Sequence, residues 1–101
     1  MVYKIVWTQK ALDSYLKNIH YLENQWTNKE VQAFILLVED RLDTLCQQPN
    51  TGKIANERMP NIRRIVLHKR VLMIYRIQPR QKNIQLLLFW NTYQNPHSLK
   101  I

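Results

Sequence analysis

The spacing of the apolar residues changes once along this chain, and that change limits the folds open to it. Between Ala11 and Leu45 they recur at three- and four-residue steps, the pattern of amphipathic helices. A turn at Asn50-Thr51-Gly52 ends this half. From Ile62 onwards the apolar residues form three short runs rich in β-branched side chains, which is typical of strands. The sequence therefore predicts two helices followed by a sheet.

Capping signals set the limits of the two helices. Thr27-Asn28-Lys29-Glu30 fits the S/T-x-x-E capping box, which satisfies two backbone N–H groups at a helix start. The first helix follows Thr8, a good N-cap, and Pro49 ends the second. So short a link between helices predicts an antiparallel hairpin. The predicted apolar stripes are Ala11, Leu12, Tyr15, Leu16, Ile19, Leu22 and Trp26 in the first helix, and Val31, Phe34, Ile35, Val38, Leu42 and Leu45 in the second.

Four segments are predicted as strands, with irregular chain over residues 53–61. They are residues 2–7, 62–67, 71–77 and 84–90, of which the last is almost continuously apolar and is expected near the sheet centre. Short links favour antiparallel neighbours among the last three. The order β-α-α-β-β-β predicts one α+β domain over residues 1–101. Its helix hairpin packs on one face of a mainly antiparallel four-stranded sheet.

The composition excludes several classes of protein. A chain of 101 residues suits a single domain, and 46% apolar residues with one glycine exclude a disordered or glycine-rich chain. The lone Cys46 cannot form an internal disulfide, which fits a reducing cytosol. No apolar run approaches the roughly 20 residues of a membrane span. We expect a cytoplasmic protein that does not associate with membranes.

The net charge of +8 is unevenly distributed along the chain. Residues 1–50 carry five basic and six acidic side chains, whereas residues 51–101 carry ten basic and one acidic. The segment from Arg58 to Lys82 holds eight basic residues and no acidic one. Such asymmetry favours an acidic or polyanionic partner. The alternative is a solvated basic surface that serves solubility.

The sequence contains no recognisable metal or cofactor motif. His20, His68 and His97 lie far apart and lack the spacing of metal ligands. Phosphate-binding glycine loops and the nucleophile motif G-x-S-x-G are missing. Cys46 lies near a helix C-terminus, where nothing favours a reactive thiolate. We therefore expect neither a metal nor a cofactor.

Arginines on two predicted strands are the main candidates for a functional site. Side chains alternate across a strand, so Arg70, Leu72, Ile74 and Arg76 share one face, while Arg63 and Arg64 point oppositely. At least one arginine from each strand is therefore expected on the face away from the helices. Guanidinium groups there would bind phosphate or carboxylate. The alternative is that these arginines only protect strand edges.

Three polar residues lie at or after the end of the last strand. Asn91 ends the apolar run, and Tyr93 and His97 follow it. Tyrosine and histidine carry protons in general acid–base catalysis, although each is equally common as a surface loop residue. The predicted partner-binding residues are Arg58, Arg63, Lys69, Arg70 and Asn91.

The order of motifs resembles one known family. A helix hairpin that ends in a P…G turn is followed by MPNIRRIVL, RVLMIYRI and LLLFWNTYQNP. From about Val2 to Pro96 this resembles the RelE/ParE superfamily, the toxins of bacterial type II toxin–antitoxin and plasmid-stabilisation modules. The resemblance implies a toxin that arrests growth when free. It also implies a cognate antitoxin that neutralises it within a hetero-oligomer.

Two mechanisms occur in that superfamily. RelE-like toxins cut mRNA in the ribosomal A site with basic residues and no metal, whereas ParE-like toxins poison DNA gyrase. Arg64 matches a basic position of RelE-like toxins, but Val66, Leu72 and Tyr93 stand where those toxins carry further basic residues. RVLMIYRI is also more similar to the ParE form of that strand. The resemblance thus favours gyrase poisoning.

Two alternatives stay open beside gyrase poisoning. One is a RelE-like ribosome-dependent endoribonuclease, for which the catalytic candidates are Arg64, Arg76, Tyr93 and His97. In that case Arg70, Arg76 or Tyr93 would replace the missing arginines. The other is a non-toxic remnant or a plain binding module.

Overall fold

The computed structural model of the protein describes residues 2–68 and 71–91, without the side chains of Gln25 and His68. Tyr93, His97, Lys69 and Arg70 lie outside the described residues. In chain order the elements are β1 (Lys4–Trp7), α1 (Gln9–Gln25), α2 (Asn28–Gln47), a 3-10 turn (Pro49–Thr51), β2 (Lys53–Ile54), β3 (Ile62–His68), β4 (Val71–Gln78) and β5 (Asn83–Asn91).

The five strands form one mixed sheet in the order β1-β5-β4-β3-β2. β1 runs parallel to β5, and the other three pairings are antiparallel. The prediction of a four-stranded sheet was wrong because β2 has only two residues, too few to show an alternating pattern. β1 is free to run parallel to β5 because the helix hairpin, and not a tight turn, follows it.

The predicted caps are confirmed at both helices. The Thr8 hydroxyl accepts a hydrogen bond from the Ala11 N–H at the start of α1. At α2 the capping box is complete: the Glu30 N–H donates to the Thr27 hydroxyl, and the Thr27 N–H donates to the Glu30 carboxylate. No described helix is both long and apolar enough to cross a membrane.

Most of the predicted stripe of α1 is confirmed, because Ala11, Tyr15, Ile19, Leu22 and Trp26 lie in the core or pack against it. Leu12 and Leu16 are 39% and 54% exposed, while the polar Ser14 and Asn18 turn towards β5. Beyond the end of β1, these two side chains bond the edge of β5: the Phe89 N–H donates to the Ser14 hydroxyl, and the Asn18 amide donates to the Phe89 carbonyl. Buried backbone groups need partners, so these bonds help to orient the helix together with its buried apolar residues.

The core lies between the helix hairpin and one face of the sheet, which we call the inner face. Its fully buried residues from β4 and β5 include Met73, Tyr75, Ile84 and Leu86, which pack with Val38 and other residues of α2. At one end Trp7 stacks on Phe89 with ring centroids 5.6 Å apart, and Tyr15 contacts both rings. The opposite, outer face of the sheet is where the candidate site lies.

Candidate functional site

The outer face brings together the two arginines that strand alternation predicted. Arg64 pairs with Ile74 and Arg76 with Ile62, so both arginines alternate with inner-face residues and are diagonal neighbours on β3 and β4. Diagonal neighbours in an antiparallel pair lie about 7–8 Å apart. Neither guanidinium makes a hydrogen bond or ion pair with any described residue. The predicted juxtaposition of one arginine from each strand is confirmed.

A third cation joins them from β2. Lys53 is the register partner of Arg64, so the two side chains share the outer face. We call Lys53, Arg64 and Arg76 the cation cluster. Sequence reasoning missed Lys53 because its segment was predicted to be irregular. The only signal was its position directly after the turn glycine Gly52.

No carboxylate offsets the cation cluster on the described strands. Six of the seven acidic residues lie on α1 and α2, and the seventh, Glu57, lies in the loop between β2 and β3. Like charges on directly opposed sheet positions destabilise the fold. The pairing of Lys53 with Arg64 is therefore a structural cost that an anionic ligand would relieve.

Arg63 has a different environment from its neighbour Arg64. It pairs with the buried Tyr75, and its NH1 group donates to the carbonyls of Gly52 at 2.8 Å and Asn50 at 3.4 Å. Arg63 therefore holds the turn before β2 and does not join the cation cluster. Its predicted role in binding a target or antitoxin stays a prediction.

Tyr75, a buried residue of the inner face, holds the same turn. Its hydroxyl accepts a hydrogen bond from the Gly52 N–H and donates one to the Pro49 carbonyl, both at 2.8 Å. Burial raises the pKa of this phenol, although the Gly52 N–H and the Arg63 charge oppose that change. The phenol thus stays protonated and able to donate. We call Arg63, Tyr75 and Gly52 the loop clamp.

The remaining predicted residues are placed differently. Arg58 is exposed in the loop after β2, where its backbone N–H bonds the Asn56 side chain. Asn91 is only 3% exposed and has an interaction within the protein. Its predicted role in binding a target or antitoxin stays a prediction. Burial, and then the nearby Asp43 charge, raise the pKa of the Cys46 thiol, as expected for an unreactive cysteine.

Beside the cation cluster the outer face is apolar. Val66, Leu72 and Trp90 form one row across β3, β4 and β5, and Val66 is 59% exposed. Val66 and Leu72 are the positions at which the resemblance to RelE-like toxins would place basic residues. The outer face is therefore divided into a cationic part and an apolar part.

Comparison with known proteins identifies the family. A family model described as "ParE toxin of type II toxin-antitoxin system, parDE" matches residues 5–96. The chain belongs to the ParE toxin family. It is thus a toxin of the type II toxin–antitoxin class, as the resemblance implied. No curated protein matches the sequence significantly.

Solved structures share the fold of this ParE-family toxin. The chromosomal ParDE system of P. aeruginosa gives a TM-score of 0.68 at 18% identity and covers 89% of this chain and 96% of that one. The RelBE2 toxin–antitoxin complex of Mycobacterium tuberculosis gives 0.60 at 16% identity, covering 90% and 99%. A double mutant of E. coli RelE in the free state gives 0.61 at 11% identity, covering 95% and 90%. At such low identities these similarities show a common fold and leave the target open.

No metal site is evident in the described part of this ParE-family toxin. Within residues 2–68 and 71–91, no three His, Cys, Asp or Glu side chains are placed to hold a metal ion. The described outer face offers cations and apolar side chains, and both kinds of group can bind a partner.

Proposed function

We propose that this ParE-family toxin arrests growth by binding and poisoning DNA gyrase in the cytoplasm, and that it does not cleave RNA. The observation that carries the proposal is the row of Val66 and Leu72 on the outer face. RNA cleavage develops negative charge that must be stabilised, and losing one such group typically costs about 10²–10³-fold in rate. An exposed valine beside a leucine supplies apolar contact area for a protein target instead.

Ribosome-dependent RNA cleavage is the second candidate function. It is supported by Arg64 and Arg76, which lie unpaired on one face and suit a phosphate. Tyr93 and His97 would be its proton carriers. The gyrase proposal is preferred because the family model that matches is that of ParE and because of the apolar row.

We further propose that a cognate antitoxin covers the outer face. Several structures with this fold are toxin–antitoxin complexes, among them RelBE2. The antitoxin segment would carry carboxylates towards the cation cluster and Arg58, and apolar side chains towards Val66. An amphipathic segment of this kind would neutralise the toxin by occupying the surface that meets the target.

The test is to express the toxin without antitoxin and to measure protein synthesis, DNA synthesis and gyrase-dependent DNA breaks over time. Purified toxin is then added to gyrase and supercoiled plasmid. We expect stabilised DNA cleavage by gyrase while translation continues at first. An early halt of translation with A-site mRNA cuts, and normal supercoiling, would establish the RNA-cleavage function instead. Unaffected growth would mean that the chain is not toxic.

A further inference from the structure

We propose that the cation cluster binds the phosphodiester backbone of duplex DNA, so that the toxin contacts DNA directly while it acts on gyrase. The inference rests on the proposed gyrase function and adds a ligand to it. Three observations on the outer face support it: the spread of the cations, their lack of partners among the described residues, and the hydrogen bonds that fix the position of Lys53.

The spread of the cluster suits several phosphates. Lys53, Arg64 and Arg76 come from three neighbouring strands, β2, β3 and β4. Neighbouring strands lie about 4.7–4.9 Å apart, so the Cα atoms at the two ends of the cluster are separated by about 10 Å or more. The cluster is therefore wide enough to meet more than one anionic group. A DNA strand carries one phosphate charge per about 3.4 Å of helix rise. Over the width of the cluster it therefore offers several successive phosphates.

The charges are also available for a ligand. None of the three side chains has a hydrogen bond or ion pair with a described residue, and no acidic residue lies on the described strands. Arginine binds phosphate through parallel N–H donors, and lysine acts as a compact point charge. A surface of this kind binds the backbone and does not read sequence.

The loop clamp fixes the position of Lys53. β2 has two residues, so its pairing with β3 alone is a weak constraint. Gly52, directly before Lys53, is held through its N–H by Tyr75 and through its carbonyl by Arg63. Tyr75 and Arg63 are therefore positioning residues for the cluster. They act on DNA binding only through Lys53.

The experiment measures fluorescence anisotropy of a labelled DNA duplex with purified toxin between 50 and 200 mM salt. Three phosphate contacts predict a slope of about −2.7 for log affinity against log salt, or an about 40-fold loss over that range. Arg64→Ala, Arg76→Ala and Lys53→Ala should each make the slope shallower by about 0.9. Lys29→Ala, an exposed cation on α2 with the same change in net charge, should leave the slope unchanged.

Several results would overturn the proposal. They are no binding at 50 mM salt, equal effects of Lys29→Ala and the cluster variants, and tighter binding of single-stranded RNA than of the duplex. Gyrase cleavage is assayed in parallel with the same proteins. Gyrase poisoning without DNA binding removes this inference and leaves the proposed function intact. DNA binding by the cluster without any effect on gyrase removes the proposed function and leaves the DNA site.

A double-mutant cycle tests the positioning role. We expect Tyr75→Phe to weaken DNA binding about as much as Lys53→Ala, and the double variant to be no weaker than either. The urea midpoint of each variant shows that the protein is folded under the binding conditions. Additive losses, or full affinity in Tyr75→Phe, would contradict the claim that Tyr75 acts through Lys53.

Discussion

The turn glycine offers the sharpest test of the fold, through the substitution Gly52→Ala. A Cβ at this position would lie 2.5 Å from the Tyr75 hydroxyl and 2.7 Å from the Arg64 carbonyl oxygen. The φ of Gly52 is −74°, which alanine adopts without strain. The glycine is therefore required for space and not for backbone conformation. Gly52→Ala therefore has two effects of opposite sign: restriction of the unfolded chain stabilises the protein, and the steric clash destabilises it.

The magnitude follows from the contacts. With a compatible φ, Gly→Ala stabilises a protein by about 0.4–1 kcal/mol through the unfolded chain. Against this, the Tyr75 hydroxyl must leave two hydrogen bonds worth about 0.5–1.5 kcal/mol each. Overpacking beside the fully buried ring and the Arg64 carbonyl adds about 1–3 kcal/mol. We expect a net loss of about 3 kcal/mol, or about 10–20 °C in Tm for a domain of this size.

Urea denaturation followed by circular dichroism and tryptophan fluorescence measures this loss. Asn50→Ala, an exposed substitution in the same turn, is the control and should change stability by less than about 0.5 kcal/mol. In a Tyr75→Phe background, Gly52→Ala should cost about 2 kcal/mol less, because the two hydrogen bonds of the Tyr75 hydroxyl are already absent. The contact with the Arg64 carbonyl would remain. A Gly52→Ala protein as stable as wild type would refute the steric argument.

Three further predictions concern other parts of the molecule. Burial raises the pKa of Tyr75, so its stabilising contribution is complete below the unfolded value of 10.0 and is lost as pH rises beyond it. The unfolding free energy should therefore fall above about pH 10, less steeply in Tyr75→Phe. Val66→Asp should abolish gyrase poisoning in the plasmid cleavage assay, whereas Leu36→Asp, at a similarly exposed aliphatic on α2, should preserve it; equal losses would contradict a specific role for the outer face. Ser14→Ala should cost about 1–3 kcal/mol in urea denaturation, because it removes the acceptor of a β5 backbone N–H; an unchanged midpoint would show that the bond is dispensable.

The sequence was sufficient for the parts of the fold that depend on local signals. The capping box at Thr27 and the N-cap at Thr8 placed both helix starts, since these bonds are made within one turn. The apolar stripe also indicated most of the inward face of α1, but it did not predict that two polar side chains would lie on that face. Ser14 and Asn18 face inward because a β-strand edge some 70 residues later in the chain requires partners. A helical pattern of leucines carries no information about that edge.

For the candidate site too, the sequence did not reveal contacts between residues that are distant along the chain. Alternation along β3 and β4 was enough to place Arg64 and Arg76 on one face, and the register confirmed it. Alternation also required Arg63 to point the other way, but it could not reveal what Arg63 contacts. That depended on the turn at Gly52, whose contact with Tyr75 joins residues 23 positions apart. Lys53 was missed because its place beside Arg64 depends on the same turn, which the sequence pattern did not reveal.

The adjacent arginines show why net charge alone is a poor guide to a binding surface. Arg63 and Arg64 contribute equally to the net charge of +8. Arg63, however, donates hydrogen bonds to two backbone carbonyls of a turn, whereas Arg64 has no partner among the described residues. Arg63→Ala should therefore lower the urea midpoint and weaken DNA binding indirectly. Arg64→Ala should weaken binding at unchanged or slightly raised stability, because it relieves repulsion with Lys53. If both variants lost stability equally, the division of roles between the two arginines would be wrong.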